Sequence, residues 1–203
     1  MRLYISRKKV IYLRLVTIQP LKVLEILKKT GRFFCSYAET VGTGDDFNNT
    51  FSDAYAWYID QMILRVGAAP KGVYYPVWAW YKNEDECLFD GSWGEAGEIY
   101  ARIEFEADDD RVLLSDFDAW HCALNNCPCC EGGTSEEYNK SFDAIMAAGK
   151  EAIRESWEKI FDVSNSACIQ ATIWGLCSKD IIAVETFVSK GSNLDNGDEE
   201  LDA

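Results

Sequence analysis

The side chains best suited to chemistry lie within one short run, Ser115-Asp-Phe-Asp-Ala-Trp-His121, which ends in the only histidine of the chain. Imidazole exchanges protons near neutral pH, and a carboxylate from Asp116 or Asp118 would orient it or hold it charged. His121 follows Phe117 by four residues and precedes Leu124 by three, so on a helix all three share a flank, which predicts partial burial. The same spacing suits a histidine satisfied by hydrogen bonds at a helix–core boundary, and spacing alone does not separate a base from a packed ring.

Thiols cluster just beyond. Cys127-Pro-Cys129-Cys130 follows His121 and Cys122 within ten residues. Zinc sites pair two separated knuckles, whereas adjacent thiols in one cluster cannot all turn to one ion without strain. Reduced or redox-labile thiols are the expectation, with no metal. Cys168 and Cys177 fall in or beside strands and are expected to pack. Asp108 to Asp110 lack the glycine and distant glutamate of a calcium loop and read as a solvated turn. Glu104 and Glu106 share a strand face with Arg102, where charge is ordinary. The GxGxxG, P-loop, HExxH and GxSxG signatures are absent from the sequence, so no cofactor is expected.

Regular elements must hold these groups. Val10 to Ile18 combines β-branched and aromatic residues as a strand, and Pro20 then opens an amphipathic helix that Gly31 ends. A helix is predicted from Thr50, with Asp53 completing a capping-box-like start, through Tyr55, Ile59 and Met62 to Gly67. Val73 to Tyr81 reads as a strand with Trp78 and Trp80 on one face and Val77 and Ala79 on the other, and Pro76 points to an edge or bulge. Lys82 to Gly97, with Cys87, Phe89 and Trp93, reads as a long loop. Ile99 to Glu106 alternates as a strand with one buried and one wet face. After the acidic turn, Val112 to Leu114 form a strand, and Ser115 with Asp118 is expected to cap the next helix. Thr134 and Glu137 supply a capping box for one long helix to Phe161, loosened at Gly149. CIQATIWGL and IIAVETFVS follow as two strands joined at Ser178-Lys-Asp180.

These elements specify a single α+β domain over residues 13–190 with a mixed, mainly antiparallel sheet, an extension at 1–12 and an acidic, disordered tail at 191–203. At 203 residues and 48% hydrophobic content the chain supports its own core. Residues 1–32 carry nine Lys or Arg against Glu25, and the remainder holds 33 acids against 11 bases within a net charge of −14. Such a body repels phosphate backbones, which excludes direct nucleic-acid binding. Neither an export signal nor a membrane span is legible, because Arg14 interrupts the first apolar run. With eight cysteines in a chain too long for a disulfide-stapled scaffold, reduced thiols in the cytoplasm are expected.

Five strings together, Leu15-Val-Thr-Ile-Gln-Pro20, Tyr75-Pro-Val-Trp-Ala-Trp-Tyr81, Val112-Leu-Leu-Ser-Asp-Phe-Asp-Ala-Trp-His121, Ser156-Trp-Glu-Lys-Ile-Phe161 and Gln170-Ala-Thr-Ile-Trp174, resemble a bacterial family, the domain of unknown function numbered 3841. The resemblance covers roughly residues 13–190 in order. It implies that the family's domain starts near the first of these strings and that the cysteine cluster lies outside the shared pattern. It implies no activity, but it singles out Thr17, Gln19, Asp116, Asp118, His121 and Gln170, with Trp78, Trp80 and Trp120.

Three functional readings follow. The first is a small-ligand or nucleotide-like binding domain, with an aromatic and acidic cleft around His121: His121, Asp116 and Asp118 would do chemistry there, and Thr17, Gln19, Trp78, Trp80, Trp120 and Gln170 would bind. The second is an enzyme resembling ADP-ribosyltransferases, whose late-strand glutamate would correspond to Gln170. The third is an acidic interaction or inhibitor module that binds a protein partner through charge.

Overall fold

The computed structural model describes residues 11–35, 45–81, 91–130 and 133–191. Its backbone is organised by β1 (Tyr12–Pro20), which pairs along its whole length with β4 (Ile99–Asp108), from Tyr12 opposite Asp108 to Pro20 opposite Tyr100. On its other side β1 meets β3 (Val77–Tyr81) only at Leu15–Tyr81 and Val16–Trp80. A strand in a sheet covered on both faces is buried on both sides, and Leu15 to Ile18 are all buried. With β5 (Leu113–Asp116), β6 (Ile169–Ile173) and β8 (Ile181–Val188) the six-stranded sheet runs β5-β6-β3-β1-β4-β8, with every pairing antiparallel.

The two faces have separate cores. On one, Leu15, Val77, Ala79, Ile103, Phe105 and Ile173 meet Val23 and Leu27 of helix α1 (Leu21–Thr30), together with Phe33 of β2 (Arg32–Phe33) and Leu176 of β7 (Leu176–Cys177), which pair as a small sheet. Gly31 ends α1 at φ 75°, a conformation that favours glycine, and its N–H donates to the Leu27 carbonyl. On the other face Leu113, Trp120, Trp157 and Ile160 pack with Ala54, Tyr58 and Met62 of α2 (Asp45–Arg65), beside α3 (Phe117–Leu124). Rings that would cost about 2–3 kcal/mol each to leave in water are collected there.

Several local expectations are corrected. Strand β1 runs to Pro20, so the proline closes the strand and stands just before α1. Helix α2 begins at Asp45, before Thr50, and Asp53 faces out to ion pairs with Lys150 at 2.9 Å and Arg154 at 3.4 Å. The predicted wet face of β4 is covered in part: Glu104 is buried, paired with Arg14 and, at 3.8 Å, with Arg102. A central strand leaves a carboxylate there only when cations accompany it. The long helix breaks in two, α4 (Ser135–Ala148) and α5 (Lys150–Ser156), because Gly149 at φ 95° leaves the helical region, and a 3₁₀ turn (Trp157–Phe161) follows. Its capping box forms as Thr134 accepts from the Glu137 N–H at 3.2 Å. The strand expected across CIQATIWGL divides at Trp174-Gly175, and β6 and β7 enter different sheets.

Among the described residues, no helix is long and apolar enough to cross a membrane. Cys87 and Phe89, residues 1–10 and residues 192–203 lie outside the described residues.

Candidate functional site

Strand β5 passes directly into α3, and this junction positions the predicted acid–base residues. Asp116 is the last residue of β5 and the N-cap of α3, its carboxylate accepting from the Ala119 N–H at 2.7 Å. The expected cap, Ser115 with Asp118, is therefore displaced by one residue: Ser115 is fully buried and Asp118 is exposed. Strand alternation turns Ser115 into the core, which leaves Asp116 at the helix start.

His121 is exposed, not partly buried as its spacing predicts. Helix α3 buries Trp120 and Ala123, which rotates the Phe117–His121 flank outward. The His121 Nδ1–H donates to the Phe117 carbonyl at 2.9 Å, leaving Nε2 for solvent. Its ring meets Phe117 edge-on at 4.8 Å, and Phe117 meets Trp80 at 5.1 Å. The fold thus assembles a Trp80–Phe117–His121 row, but among the described residues no hydrogen bond joins His121 to Asp116 or Asp118.

The other predicted aromatics form core. Trp120 is 3% exposed and lies 5.0 Å from Tyr58, 5.5 Å from Trp78 and 5.7 Å from Tyr55. Where β1 and β3 separate beyond Val16–Trp80, the buried Thr17 hydroxyl donates to the Trp78 carbonyl at 2.8 Å and accepts from Gln19 Nε2 at 2.7 Å. These two residues repair the ladder. Gln170 sits between Ser115 and Trp80 in register, and its Oε1, like Trp78 Nε1, is buried without a hydrogen-bond partner. A polar network unforeseen from the sequence lies alongside: the Tyr58 hydroxyl is 3.1 Å from Ser115 Oγ and 3.2 Å from Thr172 Oγ1. Burial pushes the Tyr58 phenol up to about 12 against the lowering effect of those two hydroxyls.

At the opposite end of β6 the fold opens a cleft of about 340 Å³. Arg32, Arg111 and Lys179 reach it from three distant segments, with Phe34, Trp174 and Pro70 among its walls and, among the described residues, no acidic residue lining it. Arg111 pairs with Asp180 at 3.3 Å, and Lys179 approaches the same carboxylate at 4.0 Å. Arg32 has no ion-pair partner among the described residues. Phe34, 37% exposed, lies over Gly175, where a Cβ would stand 2.4 Å from its ring. No spacing rule connects positions 32, 111 and 179. Only β2–β7 pairing, which sets Arg32 opposite Cys177, and the 3₁₀ turn (Asp109–Arg111) leading into β5 gather them.

A second pocket, of about 440 Å³, is polar and opens beside the α3 start, lined by Asp116, Cys129, Cys130, Lys159, Asp162 and Ser164 among others. Among the described residues, no group of three His, Cys, Asp or Glu side chains is placed to hold a metal ion.

In comparisons with known proteins, a family model described as a domain of unknown function (DUF3841) matches residues 14–182. No curated protein and no solved structure matches the chain significantly.

Proposed function

The chain belongs to the family described as a domain of unknown function (DUF3841), and from its own geometry we propose that it is a small-ligand-binding domain whose ligand carries an anionic group on a planar or apolar body, as a nucleotide does. The observation that carries this reading is the excess of cations in the Arg32–Arg111–Lys179 cleft: Arg111 and Lys179 share the Asp180 carboxylate, and Arg32 has no ion-pair partner among the described residues, in a protein of net charge −14. A cation without a carboxylate partner in a cleft has its hydrogen-bond donors available to an incoming anion.

The volume lies at the small end of ligand pockets, enough for one ring and one charged group. Phe34 offers an exposed ring face, and the guanidinium forks of Arg32 and Arg111 match the oxygens of a phosphate or carboxylate. This reading keeps the ligand class expected from the sequence and moves its centre from His121 to the far end of β6. At the His121 end, Asp116 Oδ1 accepts the cap hydrogen bond and Nδ1 of His121 binds a carbonyl, so the two do not form a dyad. The ADP-ribosyltransferase-like and acidic-inhibitor readings gain no particular observation. We place the protein in the cytoplasm, where thiols such as those of Cys122, Cys127, Cys129 and Cys130 stay reduced.

The test is a thermal-shift series with AMP, ADP, NAD and inorganic pyrophosphate on the wild-type protein and on Arg32→Ala, Arg111→Ala and His121→Ala. A rise in melting temperature that the arginine variants lose and His121→Ala keeps supports the cleft. Loss in His121→Ala alone returns the site to α3, and no shift with any compound overturns the small-ligand reading in favour of a protein partner.

A further inference from the structure

The sheet ends differently at its two edges. Strand β5 is four residues long and passes at once into α3. Strand β8 runs for eight residues as Ile-Ile-Ala-Val-Glu-Thr-Phe-Val, with Glu185 its one charged residue. Edge strands ordinarily discourage further pairing by proline, lysine or shortness, none of which β8 has. The backbone direction identifies the groups it presents. Ser189 donates its N–H to the Glu98 carbonyl at 2.8 Å and its carbonyl accepts from the Gly97 N–H at 2.9 Å, so both point inward, toward β4. Along an antiparallel strand these directions alternate: the groups of Glu185 and Phe187 point inward as well, and those of Val184, Thr186 and Val188 point outward. The outward Lys190 N–H reaches the Gly91 carbonyl at 3.0 Å and bounds the edge at one end, and the register shift at Glu104/Phe105 bounds it at the other. Among the described residues no strand pairs with the stretch between, whose centre is Thr186. Val184 lies opposite Ile103 and Val188 opposite Ile99, on the α1 side of the sheet, where the two valines are 45% and 61% exposed beside Ile99 at 49%.

We infer that β8 is a self-association edge: two copies of this chain pair their β8 strands antiparallel about a twofold axis at Thr186 and join their sheets into one. In that register Val184 exchanges both hydrogen bonds with the partner's Val188, and Thr186 does so with the partner's Thr186, so the outward groups satisfy one another. The exposed valines of both copies and Ile99 then form one apolar row on the α1 side. The charges suit a second copy as well. A body of net charge −14 repels its like, but between Ile181 and Lys190 the single acid Glu185 is balanced by Lys190, so the line of contact is neutral. An axis at Glu185 would set two carboxylates directly opposite, whereas the axis at Thr186 places Glu185 opposite the partner's Phe187. The inference stands apart from the ligand reading, since no β8 residue lines the basic cleft.

Sedimentation equilibrium on the full chain from about 10 µM to about 1 mM tests the association. The average mass should rise from 23.0 kDa toward twice that value, because one ladder with one apolar row makes a small, reversible interface. Amide exchange followed by NMR identifies the face: protection of Val184, Thr186 and Val188 should grow with concentration, while Glu185 and Phe187, bonded to β4, stay protected throughout. Thr186→Pro removes an outward N–H and no bond to β4, and should hold the mass at 23.0 kDa. Thr186→Lys takes its place if circular dichroism shows that the proline variant does not fold. A mass of 23.0 kDa throughout overturns the inference and leaves the edge to an extended peptide of another protein. A dimer in which the three outward amides gain no protection, or one that the folded variant retains, overturns it too.

Discussion

The indole Nε1 of Trp174 donates to the carbonyl of Gly67 at 2.9 Å, tying the residue after β6 to the residue pair that follows α2. This bond joins two walls of the basic cleft, since Val66, Trp174 and Gly175 all line it. The cleft is therefore a product of the inter-element contact, and its shape depends on what stands at position 175.

Gly175→Ala would set a methyl group 2.4 Å from the Phe34 ring and 2.7 Å from the Phe33 carbonyl oxygen. The ring can swing away but the backbone carbonyl cannot follow, so the variant should lose about 1–3 kcal/mol of stability. Urea unfolding measures the loss, and a nucleotide thermal shift measured in parallel should shrink as Phe34 leaves its place.

Reversing Arg32 to Glu should weaken pyrophosphate binding by roughly 10–100-fold, the worth of one charge-assisted hydrogen bond, with little change in melting temperature. Arg32 is exposed and makes no ion pair among the described residues, so the folded state has little to lose. Isothermal titration at two salt concentrations checks both statements, because an electrostatic contact weakens as salt rises.

The Tyr58 phenol sets an alkaline limit. Its folded value of about 12 exceeds the ordinary 10.0, so the stability it contributes is whole below pH 10 and is lost as pH rises from 10 toward 12. Tyr58→Phe should flatten that decline in a pH series of unfolding free energies. At neutral pH it should cost about 1–2 kcal/mol, because Ser115 Oγ loses its partner while Thr172 keeps the Leu113 carbonyl at 3.3 Å.

Cys122 should alkylate with a midpoint near pH 7, its rate rising through that value to a plateau. Against an ordinary thiol of pKa about 8.5, its thiolate share at neutral pH is roughly 15-fold larger, and lower nucleophilicity returns about 5-fold of that. A net advantage of about threefold at pH 7 remains. Cys129→Ala removes the neighbouring thiol that lowers Cys122 and should move the midpoint upward, which a pH series of iodoacetamide rates on mapped peptides reports.

Much of this protein was legible as sequence because its signals are local. The apolar run of β1, the extent of the β4 strand, the glycine that ends α1 and the Thr134–Glu137 box each act over a few neighbouring residues, and each appears in the structure. The α+β class and the antiparallel sheet follow from the same signals, and the family pattern over residues 14–182 is carried by short strings. Where local rules erred, a neighbour distant in sequence had intervened. His121 turned outward because Trp120 had Tyr58 and Trp78 to pack against, and Glu104 was buried because Arg14 came with it from β1.

What the sequence alone determined was therefore the class of the fold, most of its elements, and the surplus of acid that sets the net charge negative. Tertiary structure alone decided where that field is broken. Positions 32, 111 and 179 share no period, and strand register brought their charges to one cleft. The loop after α3 is likewise held by residues distant in sequence, since Ser156 accepts from the Cys129 N–H and Trp157 donates to the Cys127 carbonyl. The physical reason is common to both: periodicity records which face of an element is buried, whereas a site is made by side chains on different elements, whose meeting no local pattern encodes.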